Sequence, residues 1–379
     1  MYSSKPSYWE KTTFLSDIDI AIVGAGLVGT TAAVYAKSKY PNSRVVVIDR
    51  GFIGSGASTK NAGFACFGSI SELLYDLDQG EPETAVFDLL AKRYEGLIHL
   101  VELLGKDNLD YQALGGFEIF RKEEQKEAAL CTDKLSYFNS KVKSITGLKE
   151  TYSVANEKLT SSKFANTTAC IANHAEGQLH PGKMMEALYN LAKSLHIEFF
   201  NGIVVEDFKD NGSVVDLHLS NGWEVKTGKL ILANNGFAKK LIPDLALQTV
   251  RNQVLVTSAI PNLPVRGAFH MHKGYFYFRN IHNRILIGGG RHLAKEAETT
   301  DSFGSNTLIK ASLCSLLDEV VLPNIPYAIE SQWSGILGIG PSKQPILKKH
   351  SEHVTLAVRL GGMGVALGSL LGREAVGLI

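Results

Sequence analysis

Cysteine is scarce in this chain, with four in 379 residues at Cys66, Cys131, Cys170 and Cys314. They are far apart and form no CxxC or Cys/His ligand spacing, which fits free thiols in a reducing compartment better than a disulfide framework or a zinc site. No metal is expected. Charge of one sign is also lacking: the formal net charge is +1 and there is no long basic block. Nucleic acid as an obligate partner leaves a basic footprint and is therefore excluded. No internal repeat or low-complexity linker is visible. The most apolar segment, AIVGAGLVGTTAAVYA (21–36), follows Lys5 and Lys11 and imitates a signal-peptide core. It begins late for one and is too short to span a bilayer comfortably, and its glycines fall where a strand must turn into a helix. No transmembrane segment is expected, and the chain reads as cytoplasmic and folded. Its 45% apolar and 20% charged content is that of a globular protein, and its length suffices for two domains.

What is present begins with a β-branched run from Asp19 to Val23 that stops at GAGLVG. Gly24, Gly26 and Gly29 stand there in GxGxxG spacing, and helix formers follow. A second apolar run, Val45 to Ile48, ends in Asp49, followed by Arg50. Strand, glycine turn, helix, strand and acid within one βαβ unit predict a dinucleotide site that includes Ala25 and Val28. Gly24 allows the tight turn, Gly26 admits a pyrophosphate close to the backbone, and Gly29 lets helix and strand pack closely. The helix N-terminus offers free N–H groups to phosphate. Asp49 at the strand tip suits ribose hydroxyls and would repel a 2′-phosphate, which argues against NADP.

NAD and FAD share this half, and three further features favour FAD. GSGASTKNAGFACFGS (54–69) is bare backbone. KLILANNGF (229–237) is a strand ending in small polar residues, after a meander turning at Ser220–Gly222. RLGGMGVALGSLLGREAVGLI (359–379) is a second glycine turn feeding a helix.

GAGLVG, VVVIDR, GSGASTKNAG, EGQLHPGKMMEAL, LILANNGF and LGGMGVALGSLLG, in this order, resemble the D-amino acid oxidase family of FAD enzymes. That family includes glycine oxidase, monomeric sarcosine oxidase, D-amino acid dehydrogenases and γ-glutamylputrescine oxidase-like proteins. The resemblance runs from about Asp17 to the carboxyl end. It implies an α/β (α+β overall) fold, with a Rossmann-like FAD-binding domain at roughly 1–88, 168–236 and 333–379. A mostly antiparallel-sheet substrate domain would use 89–167 and 237–332. The helical spacing of Leu90, Tyr94, Leu97, Val101 and Leu104, the strand in YQALGGFEIF and the hairpin in GYFYFRNIHNRILIGGGR fit that division.

The resemblance further implies non-covalent FAD, since no cysteine stands near Trp333–Pro345, where a tether is expected, and Cys66 is read as structural. Ser58, Lys60, Asn61, Ala62 and Gly63 would run along the pyrophosphate, ribityl chain and flavin edge. Val205 is either an adenine contact or an ordinary strand valine. Ala233, Asn234 and Gly236 would close over the nucleotide half. Gly361, Gly362, Met363, Gly364 and Val365 either aim N–H groups at the pyrimidine end of the ring or form only a tight turn.

On the substrate side, the family implies hydride transfer from a C–N bond to flavin, giving an imine that hydrolyses. The partners would be an amine or amino acid and either oxygen or another electron acceptor; a membrane acceptor would add peripheral membrane contact. Tyr275, Tyr277 and Arg279 alternate along one strand and so share a face, which is either a substrate wall or an amphipathic sheet surface. Arg251 and Arg291 are further candidates, while His180 either caps the next helix or packs near the cofactor. Two departures stand out. Leu337 occupies the position of the arginine that grips substrate carboxylate in glycine oxidase-like members, so Arg251, Arg279, Arg291 or Arg359 must take over or the substrate lacks an α-carboxylate. Leu286 replaces a lysine that promotes reaction with oxygen, so a dehydrogenase is as well supported as an oxidase. A 2-hydroxyacid or related C–O dehydrogenase is the alternative, with His180, His270 or His272 as the required base. A non-catalytic flavin protein is a third reading. Substrate identity and oligomeric state are not encoded in these motifs.

Overall fold

The computed structural model describes residues 5–379. Two eight-stranded sheets organise it. In the first, Ile18–Val23 lies parallel between Val45–Asp49 and Glu224–Leu232, with Glu198–Asn201 beyond one and Val354–Val358 beyond the other. These strands read as continuous apolar runs because both faces are covered. Ile22, Val47 and Ile231 pack in a core with the flanking helices, while Ala21, Val46 and Leu230 pack in a core on the opposite side. The expected meander is present: Val205–Asp210, Val215–Leu219 and Glu224–Leu232 pair antiparallel, and Gly222 takes a positive φ at the tip.

The helix Leu27–Lys39 follows the glycine turn, and Gly364–Val376 packs on it near the end of the chain. Close approach is the reason for the small residues here. A Cβ at Gly372 would sit 2.5 Å from the Val28 carbonyl oxygen, and one at Gly368 would sit 2.8 Å from Leu27. The long helix Glu83–Leu104, foreseen from its apolar spacing, crosses the same C-terminal helix at Gly96, where a Cβ would overlap the Ala366 carbonyl.

The second sheet runs Ile329–Ile339, Gln248–Thr257, Arg284–Gly289, Phe276–Ile281, Ala268–Met271, Gly116–Arg121, Thr167–Asn173, Tyr152–Val154. All its pairings are antiparallel except that of Ala268–Met271 with Gly116–Arg121. Two strands depart from the expected division. Thr167–Asn173 was expected almost wholly in the cofactor part and pairs with Gly116–Arg121 instead. Ile329–Ile339 crosses the expected boundary at 333 and stays in register with Gln248–Thr257 along its length. Backbone pairing with partners far away in sequence decides both cases. Among the described residues, no helix is long and apolar enough to cross a membrane.

Candidate functional site

A cavity of about 1210 Å³ runs between the two sheets, from the first glycine turn to the carboxyl-terminal one. At one end the strand Ile18–Val23 stops because Gly24 takes φ +112, a conformation open to glycine. A side chain there would also strike the Ala233 carbonyl oxygen at 2.7 Å. Gly26 faces the cavity, and a Cβ on it would meet only the Ser58 hydroxyl. That hydroxyl accepts the Leu27 N–H at 2.8 Å, so the 54–69 segment is tied to the first turn of the helix. Asp49 accepts the Ala25 N–H at 2.8 Å through one oxygen and the Gly51 N–H at 2.7 Å through the other. Each oxygen keeps a second acceptor site for a ribose hydroxyl. Arg50 lies 3.6 Å over the Phe237 ring.

The bare segment is shaped by its own side chains. The Asn61 carboxamide donates to Ser58 O at 2.6 Å and accepts the Gly63 N–H at 2.8 Å. Trp333 Nε1 donates to Lys60 O at 2.9 Å, fixing the segment to the second sheet. At the other end, Gly361 and Gly362 take φ +58 and +91 before the C-terminal helix. Nothing lies within 4 Å of a Cβ built on Gly56, Gly362 or Gly364.

An FAD-sized molecule fits this frame. The cavity has the length and volume, its walls carry glycines at both turns, and the buried Asn234 Oδ1 on its wall has no hydrogen-bond partner. Of the expected cofactor residues, Gly24, Gly26, Val28, Asp49, Arg50, Ser58, Lys60, Asn61, Ala62, Gly63, Val205, Ala233, Asn234, Gly361, Gly362, Met363, Gly364 and Val365 line it. Three do not. Ala25 supports it through hydrogen bonds to Asp49 and Tyr189. Gly29 acts in packing alone, since its Cβ would overlap the Gly24 carbonyl. Gly236 sits behind the wall, against Thr249 and the Leu337 carbonyl.

The substrate-side expectations divide. Tyr275, Tyr277 and Arg291 line the cavity, together with Leu337. Tyr277 is half-buried, and the burial of its phenol pushes it up to about 12. Arg291 has no ion-pair or hydrogen-bond partner among the described residues, unlike the other arginines considered. Arg251 is a correction. It lies outside the cavity, its guanidinium forked onto the buried Glu298 at 2.9 and 3.0 Å. Arg279 is a second correction, because it lies beneath the wall and donates from Nε to Ala62 O at 2.5 Å. Burial lowers it to about 10. Arg359 is occupied with the carbonyls of Ala246 and Gln344. Leu286 packs in an apolar patch with Ala62, Val254 and Val256. His180 caps the helix Pro181–Ser194, its Nδ1 accepting the Lys183 N–H at 3.2 Å.

The sequence reading missed the charged wall. Glu72 binds Arg93 at 3.1 Å and Lys343 at 2.9 Å, and Lys343 reaches Asp76 at 2.8 Å. Burial opposes ionisation of Glu72, but Arg93 and Lys343 together hold it down at about 2. Glu176 was also missed, although it stands in the quoted segment EGQLHPGKM. Its Oε1 accepts the N–H groups of Phe67 and Gly68 at 2.7 and 3.1 Å.

Comparison with known proteins agrees with this geometry. The model of the FAD dependent oxidoreductase family matches residues 19–378. A probable oxidoreductase, OrdL, of Rhizobium meliloti (strain 1021) is 24% identical over 376 residues, covering 94% of this chain and 81% of that one. Glycine oxidase from Geobacillus kaustophilus superposes with a TM-score of 0.74 at 21% identity, covering 95% of this chain and 94% of that one. L-proline dehydrogenase from P. horikoshii gives a TM-score of 0.73 at 17% identity, covering 96% and 93%. L-amino acid deaminase from Proteus vulgaris gives 0.72 at 15%, covering 96% and 93%. The two sheets, the two glycine turns and a family match spanning nearly the whole chain lead to one conclusion: this protein belongs to the FAD-dependent oxidoreductase family of D-amino acid oxidase type and uses FAD.

Proposed function

We propose that the protein oxidises the C–N bond of an amine or amino acid, with hydride passing to FAD and the resulting imine hydrolysing in water. The observation that carries this reading is the meeting of Tyr275, Tyr277 and the unpaired Arg291 in the same cavity as the carboxyl-terminal glycine turn. Bound FAD supplies the two-electron acceptor. The chain would supply alignment and a dry wall. Tyr277, Val254 and Phe64 form an apolar surface with Ala62, and a near-attack geometry in such a site removes much of the barrier. Arg291 takes the role of carboxylate anchor that Leu337 leaves vacant, since an unpaired guanidinium offers a planar fork to a carboxylate. The names of the structural neighbours, which include an amino-acid oxidase, a dehydrogenase and a deaminase, support this substrate class.

A second reading, oxidation of a C–O bond as in 2-hydroxyacid dehydrogenases, is favoured by one observation: His270 lines the cavity with Glu176 behind it. Anaerobic bleaching of the flavin decides between them, using glycine, sarcosine, proline, benzylamine, lactate and 2-hydroxyglutarate as reductants. Amines or amino acids are expected to bleach it. Bleaching by the hydroxyacids alone would reverse the assignment.

A further inference from the structure

Cys66, Glu176 and His270 come from three distant segments and converge at the cavity wall, with one ligand-type atom from each within 4.8 Å of the others. Nothing in the cofactor frame requires this. Glu176 is 3% exposed, and its Oε1 is committed to two backbone N–H groups. Its Oε2 therefore points where His270 Nε2 lies, 4.0 Å away. The imidazole packs edge-on against Phe64, and Phe64 in turn packs on Tyr277, which also lines the cavity. His270 Nδ1 has no hydrogen-bond partner among the described residues. An imidazole with a carboxylate behind one nitrogen and the other unclaimed is built to take a proton.

We infer that His270, positioned by Glu176, accepts the proton that a substrate ammonium must shed before its hydride can leave. This deepens the amine-oxidation reading and rests on it. The steps balance: R–NH3+ gives its proton to the imidazole, and the nitrogen lone pair so freed forms the C=N bond as the α C–H bond breaks. That hydride, with its electron pair, goes to FAD. The imidazolium then passes its proton toward Glu176 Oε2, where the present 4.0 Å separation has to close, as catalytic contacts commonly do in the loaded enzyme.

Burial disfavours charge on both members of the pair, so the imidazole holds the proton only in passage to Glu176. Burial pushes Glu176 up to about 7 and lowers His270 to about 4. The dyad is thus empty above neutrality and holds a proton, on Glu176, below it. The groups facing it are Cys66, Tyr111 and Tyr152, all kept neutral because burial raises each of them. Besides Glu176 itself, Glu72 is an anion acting on His270, and the Arg279 charge acts on Cys66.

The test uses the holoenzyme, with His270→Gln and Glu176→Gln. Anaerobic flavin reduction by the panel amine that bleaches fastest is followed against pH. In the wild type the rate should rise through about pH 7. In His270→Gln it should fall by about 100-fold at pH 7, within the range general bases contribute. It should recover near the amine's own ionisation, about pH 10 for an alkylammonium, with the flavin spectrum intact. A second readout does not depend on turnover: infrared difference spectra should show, beside the signal of Glu118, a second carboxylic acid titrating near neutrality that is absent in Glu176→Gln and displaced in His270→Gln. If no amine reduces the wild type, the amine reading falls while this titration still decides whether the proton-holding pair exists. Wild-type rate and pH profile in His270→Gln, a carboxyl titration near neutrality that is unchanged in Glu176→Gln, or stoichiometric zinc bound to Cys66, Glu176 and His270 would each overturn the inference.

Discussion

Arg291 and Arg251 stand 40 residues apart and have opposite fates in the fold. Arg251 is forked onto Glu298, whereas Arg291 faces the cavity unpaired. Replacing Arg291 with Met should weaken binding of a carboxylate probe such as benzoate by about 10- to 100-fold, the worth of one charge-assisted hydrogen-bond pair. Flavin spectral perturbation on titration measures this, and unchanged affinity would remove Arg291 from the site. Arg251→Met should instead leave that affinity alone and lower stability, by about 3 kcal/mol, because Glu298 is left buried without its partner. Thermal unfolding of the variant checks it. The sequence could not separate these two arginines. The glycines around position 290 and the cavity they border were visible, but Glu298 lies 47 residues from Arg251 in no motif. Glu176 was hidden for a similar reason: its role depends on the N–H groups of Phe67 and Gly68, more than a hundred residues earlier.

Local elements were more legible than their docking. The strand, glycine turn, helix and strand at 18–49 could be read directly, because each requirement is met by residues a few positions apart. The helix Glu83–Leu104 and the hairpin Phe276–Ile281 with Arg284–Gly289 were likewise apparent from periodicity. What periodicity did not show is that Gly96, Gly368 and Gly372 let three helices approach almost backbone to backbone. Gly96→Val should therefore force the C-terminal helix away from its partner. The expected loss is about 2–3 kcal/mol, at the upper end for overpacking, with weaker flavin retention because that helix begins at the cavity wall. Denaturant melts and the flavin-to-protein absorbance ratio report both effects. A variant as stable as the wild type would mean that the helices have slack.

The whole molecule carries buried carboxyl groups whose ionisation opposes folding. Glu118 accepts from the Ser71 hydroxyl and backbone N–H in the core, and burial raises it to about 7; Glu176 stands at the same value. A raised folded value means that this stability is complete below the unfolded value of 4.5 and is lost as pH rises through about 7. Glu72, held at about 2, works in the opposite sense, adding stability above 4.5 that is lost on acidification toward 2. Thermal midpoints should accordingly peak near pH 4.5 and decline as pH rises from there to about 7, levelling off above it. In Glu118→Gln that decline should be shallower. An unchanged slope would place the buried charge elsewhere.

The strand Ile329–Ile339 belongs to the second sheet, yet it also carries Trp333, which holds Lys60, and Gly338, which abuts Gly236. The 54–69 segment and the second sheet are therefore parts of one girder. Strain applied to either is transmitted to the other, so flavin release and melting of the second sheet should occur as a single event on heating.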